Sequence, residues 1–214
     1  MLTESLKISI PKDVLAGMPM VEFPGEITVI EDADAAREVL TLLAREERVG
    51  FDTETRPAFQ KGRSFNVSLI QISTLAHGYL FRINKTGLLP ELCAFIENDS
   101  VLKIGLSLKD DFFVLHKISE FVPHGFVDLQ GFVGDYGIAD ASLQKIYGIL
   151  FGKRISKGQR LSNWEAPELT VGQQHYAAID AWACLRIYNH LTEGNFNPQE
   201  SPYRQIDGEN TSEN

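Results

Sequence analysis

Val49-Gly50-Phe51-Asp52-Thr53-Glu54 is the stretch on which the reading of this chain turns. A short apolar run leads into two carboxylates separated by one residue, and in an extended strand positions i and i+2 share a face. Asp52 and Glu54 therefore project together from the end of a strand, where burying them unpaired is costly. A salt bridge or exposure at the strand end would satisfy such a pair, and a bound cation would also explain why both point the same way. With 29 acidic residues in 214, about four acidic pairs at this spacing arise by chance. The pair gains meaning only from what surrounds it.

Working outward, 27–30 reads as a short strand, and Asp32 or Asp34 can cap a helix running to about Arg45. Beyond the 49–54 strand, Val67, Leu69, Ile70 and Ile72 mark a largely buried strand over 64–74, with a hairpin partner at 78–83. These form three adjacent antiparallel strands. A helix at 88–97 leads to a parallel strand at 101–104 that returns beside the first, followed by a helix at 108–117. A short strand at 126–129 and helices at 142–150 and 171–191 complete an α/β class, a mixed sheet flanked by helices. We expect one domain over 27–193, an N-terminal extension over 1–26, and a tail over 194–214 whose Asn, Pro, Gln, Glu, Ser and Gly content predicts disorder.

The net charge of −9 argues against a uniformly positive nucleic-acid-binding surface. Charge is uneven, however: no acidic residue lies between Asp140 and Glu165, a stretch that carries Lys145, Lys153, Arg154, Lys157 and Arg160. Cys93 and Cys184 have no Cys or His partner at zinc spacing and read as buried thiols. No apolar run approaches membrane-spanning length and the start has no signal-peptide pattern, so the expectation is a soluble, cytoplasmic protein with no membrane partner. Oligomeric state is not legible.

Two further acidic features accompany Asp52 and Glu54. Asp110 and Asp111 fall near the first turn of a helix, where interaction with the helix dipole explains them without any function. Tyr176 and Asp180 stand one turn apart on a strongly apolar helix, where the aspartate needs a partner, either a protein cation or a metal. His175 points elsewhere and reads as structural, as do His77, His116, His124 and His190. Trp164 is more often core than a stacking platform. Phe59 and Phe65, flanking a loop with Lys61 and Arg63, can wedge or stack on a terminal base, or be buried.

Taken together, Phe51-Asp52-Thr53-Glu54, the Asp110/Asp111 segment and Tyr176-x-x-x-Asp180 resemble the three motifs of the DEDD superfamily of 3′-5′ exonucleases, in its tyrosine-containing branch, similar to ribonuclease D and the Werner syndrome protein exonuclease domain. Ser68-Leu69-Ile70-Gln71-Ile72 and Arg160-Leu161-Ser162-Asn163-Trp164 fit the same pattern. The resemblance implies a ribonuclease H-like fold with its first three strands antiparallel. It implies that Asp52, Glu54, Asp111 and Asp180 hold two divalent cations, Mg²⁺ or Mn²⁺, while Tyr176 positions the attacking water. Asp111 is preferred to Asp110 because Leu115, four positions on, matches the family's spacing. Thr53, Lys157, Arg160 and Trp164 are the expected substrate contacts, and the expected partner is single-stranded or 3′-ended nucleic acid, DNA or RNA. The alternative is a catalytically idle module that keeps the fold to bind nucleic acid or protein.

Overall fold

The computed structural model describes residues 6–60, 62 and 64–205. In chain order these form β1 (Lys7–Ile8), α1 (Lys12–Ala16), β2 (Glu26–Ile30), α2 (Ala33–Leu43), β3 (Arg48–Thr55), β4 (Val67–Ser73) and β5 (His77–Phe81). There follow α3 (Ile83–Thr86), α4 (Pro90–Glu97), β6 (Leu102–Gly105), α5 (Leu108–Leu115), β7 (Phe126–Asp128) and α6 (Leu129–Phe132). The chain closes with α7 (Leu143–Phe151), α8 (Val171–Thr192) and β8 (Arg204–Gln205).

The main sheet has six strands in the order β2-β5-β4-β3-β6-β7. β3, β4 and β5 are the three adjacent antiparallel strands expected from the sequence. β6 returns parallel to β3, and β7 adds parallel to β6. The strand at 26–30 joins the far edge, parallel to β5. Every residue of the central strand β4 is buried, as its near-continuous apolar run requires of a strand covered on both faces.

Helices cover the two faces. On one, Leu40 and Leu43 of α2, Leu92 and Phe95 of α4, and Leu108 and Leu115 of α5 pack on Val49, Phe51, Ile70 and Ile72. Asp32 starts α2 by accepting a hydrogen bond from the Ala35 amide at 2.9 Å. The other face is covered by α8, which opens on a reciprocal cap: the Gln173 amide donates to Thr170 Oγ1 and the Thr170 amide to Gln173 Oε1. Small residues at Ala177, Ala178, Ala181 and Ala183 let this helix lie close on the sheet. Closest approach is at Gly50, where an added Cβ would fall 1.8 Å from the Ala181 carbonyl oxygen. That glycine lets α8 press on β3 beside the Asp52/Glu54 pair.

The flanks differ from the loose ends expected of them. Ile8, Ile10, Leu15, Val21 and Phe23, all within the supposed extension, are buried in the core under α8, and Phe23 meets Trp182 edge-on at 5.9 Å. β1 pairs antiparallel with β8, so residues from the supposed tail also fold back onto the body. The order comes from long-range pairing and burial, which local composition does not report; residues 206–214 lie outside the described residues. Cys93 and Cys184 are free thiols. No helix of the described residues is long and apolar enough to cross a membrane.

Candidate active site

β6 pairs only with residues 48–50 of β3, so β3 continues past its neighbour and carries Asp52 and Glu54 into the space where α5 begins. α8 crosses above them. One carboxylate oxygen from each of Asp52, Glu54 and Asp180 falls within a mutual distance of 4.8 Å. Asp111 stands outside this group and is tied to it by Thr53, whose Oγ1 donates to Asp111 Oδ1 at 2.5 Å. Asp111 is 8 % exposed while Asp110 faces solvent, and Leu115 is fully buried one turn on. The inward register of α5 therefore belongs to Asp111.

The electrostatics of the cluster are those of negative charge crowded into a poorly hydrated space. Burial, reinforced by the charges of Asp111, Asp180 and Glu54, holds the Asp52 carboxyl well above the ordinary aspartate range, although it keeps some surface at the mouth of the site. Glu54 is pushed up to about 9, chiefly by burial and then by Asp180 and Asp111, with Arg160 pulling the other way. Asp111 and Asp180 are each pushed up to about 7 by burial, opposed by hydrogen bonds from Thr53 and Tyr176 respectively. The Tyr176 phenol is itself raised, by burial and by the carboxylates around it, so it stays protonated and acts as a donor. Four hard oxygen ligands that, among the described residues, have only Arg160 to offset them suit a divalent cation.

The expected substrate contacts divide. Arg160 is exposed and close enough to Glu54 to act on its charge; Lys157, in the turn before it, is exposed as well. Thr53 instead spends its hydroxyl on Asp111. Trp164 is corrected: it is fully buried among Leu69, Leu80, Leu169 and Tyr176, its ring centre 6.0 Å from that of Tyr176, and it cannot offer a face to a base. Its bulk instead backs the tyrosine. The basic stretch also thins on inspection, because Lys145 is bound to Asp140 at 2.6 Å and Arg154 donates to the Met18 carbonyl. Phe59 is 79 % exposed and Phe65 half-buried beneath the Arg56 guanidinium. With Pro57, Gln60, Leu161 and Asn163 they line a cleft of about 260 Å³. Lys61 and Arg63 lie outside the described residues. Among the described residues no histidine joins the acidic cluster.

Two residues of consequence escape the sequence reading. Asp128, at the end of β7, accepts from the Ser107 and Leu108 amides at 3.0 and 2.9 Å, fixing the start of α5 where Ser107 takes up a left-handed φ of 63°. Arg82, fully buried, binds Glu31 at 2.9 Å and donates to the carbonyls of Pro167 and Ala166, pinning the segment between Trp164 and α8. An acidic residue ending the strand 126–128 is the one signal for the former. Nothing local signals the latter, whose partners on that segment are backbone oxygens.

The profile of a family described as 3′-5′ exonuclease matches residues 27–194. The chain belongs to the 3′-5′ exonuclease family. It is 31% identical over 197 residues to the mouse bifunctional 3′-5′ exonuclease/ATP-dependent helicase WRN, covering 86% of this chain and 14% of that protein. It is 28% identical over 171 residues to Haemophilus influenzae ribonuclease D, covering 78% of this chain and 42% of the relative. This exonuclease-family chain thus spans less than half the length of either relative. The crystal structure of the Aedes aegypti Nibbler EXO domain superposes with a TM-score of 0.70 at 24% identity, covering 85% of this chain and 94% of that one. The mixed sheet with its flanking helices is the ribonuclease H-like arrangement of these exonucleases. Divalent ions serve this family, and the acidic cluster fits them.

Proposed function

We propose that this chain is a metal-dependent 3′-5′ exonuclease that shortens DNA or RNA and releases nucleoside 5′-monophosphates. The observation that carries the reading is the convergence on one site of Asp52 and Glu54 from β3 and Asp180 from α8, with Asp111 of α5 held beside them by Thr53, every one of the four with a raised pKa. Carboxylates so placed call for more positive charge than Arg160 provides among the described residues. We assign two divalent ions to this set, Mg²⁺ or Mn²⁺, which Asp52, Glu54, Asp180 and Asp111 would hold. Bound there, the ions would supply an acidified water and neutralise charge on the phosphoryl and leaving oxygens.

The chain's own side chains supply orientation and binding. Tyr176 stays protonated, so its hydroxyl orients the attacking water and does not take its proton. Thr53 and Asp128 hold Asp111 and its helix in place. Arg160 and Lys157 offer exposed cations to the phosphate chain, and the cleft between Phe59, Phe65 and Leu161 presents apolar and aromatic surface on which a base can rest. The test is cleavage of 5′-labelled and 3′-labelled single-stranded oligonucleotides, DNA and RNA, with Mg²⁺, Mn²⁺ or EDTA. Stepwise, metal-dependent loss from the 3′ end is expected; internal cuts, or no cleavage by the folded protein with either metal, would sink the reading.

A further inference from the structure

Gln71 is a polar residue for which the mechanism so far has no task. It lies in the middle of β4 with no exposed surface, and neither atom of its carboxamide has a hydrogen-bond partner among the described residues. An amide left unpaired in a core is destabilising, and an apolar side chain of the same size would avoid that cost. Native proteins keep such groups for a reason that can be sought in what surrounds them.

The surroundings are well defined. On the same face of β4, Leu69 packs with Tyr176 and Ala177, and Ser73 Oγ donates to the Ala178 carbonyl at 3.3 Å. Gln71 stands between the two, beneath the stretch of α8 that carries Tyr176 and Asp180. Its cross-strand partner on β5 is Leu80, which offers nothing polar; its partner on β3 is Asp52. Gly50, two residues before Asp52, meets Ala181 of α8, so Asp52 and Gln71 share the face under that helix. Directly opposed residues place their Cβ atoms about 4.5–5.5 Å apart, a gap that the glutamine side chain can close.

We propose that Gln71 is a positioning residue for the metal site, its side-chain N–H group donating to the Asp52 carboxylate and fixing that ligand's rotamer when a divalent cation is held. The inference rests on the metal-dependent reading above. Partners of this kind orient a ligand without touching the ion, and their loss typically weakens metal binding about 10- to 100-fold. Gln71 approaches Asp52 from the closed side of the site, between sheet and helix, leaving the mouth free for substrate.

The test separates this role from a packing role. Gln71→Met keeps the volume and removes the unpaired amide, so its melting temperature in EDTA should equal or exceed that of the wild type. Its Mn²⁺ affinity by isothermal titration should fall about 10-fold or more, and kcat should drop while KM for a single-stranded oligonucleotide holds. Wild-type Mn²⁺ affinity in Gln71→Met would overturn the role of Gln71 and leave the metal site standing. Failure of the wild type to bind Mn²⁺ would overturn both, and Asp52→Asn supplies the non-binding reference. Should Gln71→Met not fold, the Gln71 side-chain amide resonances of the ¹⁵N-labelled wild type decide: they should shift on Mg²⁺ titration, and their standing still would refute the proposal.

Discussion

Asp180→Asn, assayed without metal, asks whether the acidic cluster is built for a cation or for the stability of the fold. Asp180 is pushed up to about 7 from an ordinary 3.8, because burial on α8 withholds water from its carboxylate. One pKa unit is about 1.4 kcal/mol, so keeping Asp180 ionised in the metal-free fold costs on the order of 4 kcal/mol at pH 8. The sign follows from a folded-state pKa above the unfolded one: the penalty is absent below pH 3.8, grows between 3.8 and about 7, and is complete above. At pH 5 it has shrunk to roughly 1.5 kcal/mol. Asparagine carries no charge and keeps an oxygen for the Tyr176 hydroxyl. In EDTA at pH 8, Asp180→Asn should therefore melt on the order of 10 °C above the wild type for a chain of this size, and the gap should narrow at pH 5. In saturating Mn²⁺ the order should reverse, since only the wild type gains the full binding energy. A variant no more stable than wild type in EDTA at pH 8, or a gain equal at both pH values, would refute the reasoning and make Asp180 a structural residue.

Further expectations follow from the same geometry. Tyr176→Phe retains the packing on Trp164 but loses the hydroxyl, so kcat should fall on the order of 10²-fold with KM little changed; a rise in KM matching the fall in kcat would point to substrate binding instead. Asp111→Asn should abolish turnover while Asp110→Asn stays within about twofold of wild type, and steady-state rates in the reverse order would overturn the register read from burial. Arg82→Met leaves the carbonyls of Ala166 and Pro167 without their buried donor. It should cost about 3 kcal/mol or more in denaturant unfolding and raise KM by loosening the segment that follows Arg160; an unaltered KM in a destabilised variant would confine Arg82 to the fold.

Much of the frame is legible because it is repetitive. The apolar run of β4 and the long, strongly apolar stretch of α8 are signals spread over many residues, and the inward choice of Asp111 needs only the buried Leu115 one turn away. What escapes the sequence rests on single contacts made across it. β1 is two residues long and owes its place to β8, far away in sequence; the alternation of Leu6, Ile8 and Ile10 is too short to show what they pack against. Trp164, on sequence more often core than platform yet an expected substrate contact, loses the platform role only when the helix above it is placed. Gln71 sits inside a run that reads only as a buried strand, and its meaning appears when register sets it opposite Asp52.

The charge pattern shows why such contacts matter to function. From sequence, the expectation is that an acidic chain of net charge −9 holds a polyanion through five basic residues between Asp140 and Glu165. The fold uses two of them internally: Lys145 ties to Asp140, which also accepts from the Ile10 amide, and Arg154 anchors the segment at Met18. Both therefore hold the N-terminal flank against the body. The exposed remainder, Lys153, Lys157 and Arg160, is a modest counter-charge, and Arg160 is partly engaged by Glu54. Under the proposed function, a phosphate chain approaching this site meets four crowded carboxylates that have little protein cation among the described residues to offset them. Repulsion of that kind is tolerable if the attraction is delivered by ions held in the cluster itself. On this reading the weak basic surface and the crowded acidic cluster are one feature: affinity and catalysis are both made conditional on the same bound metal.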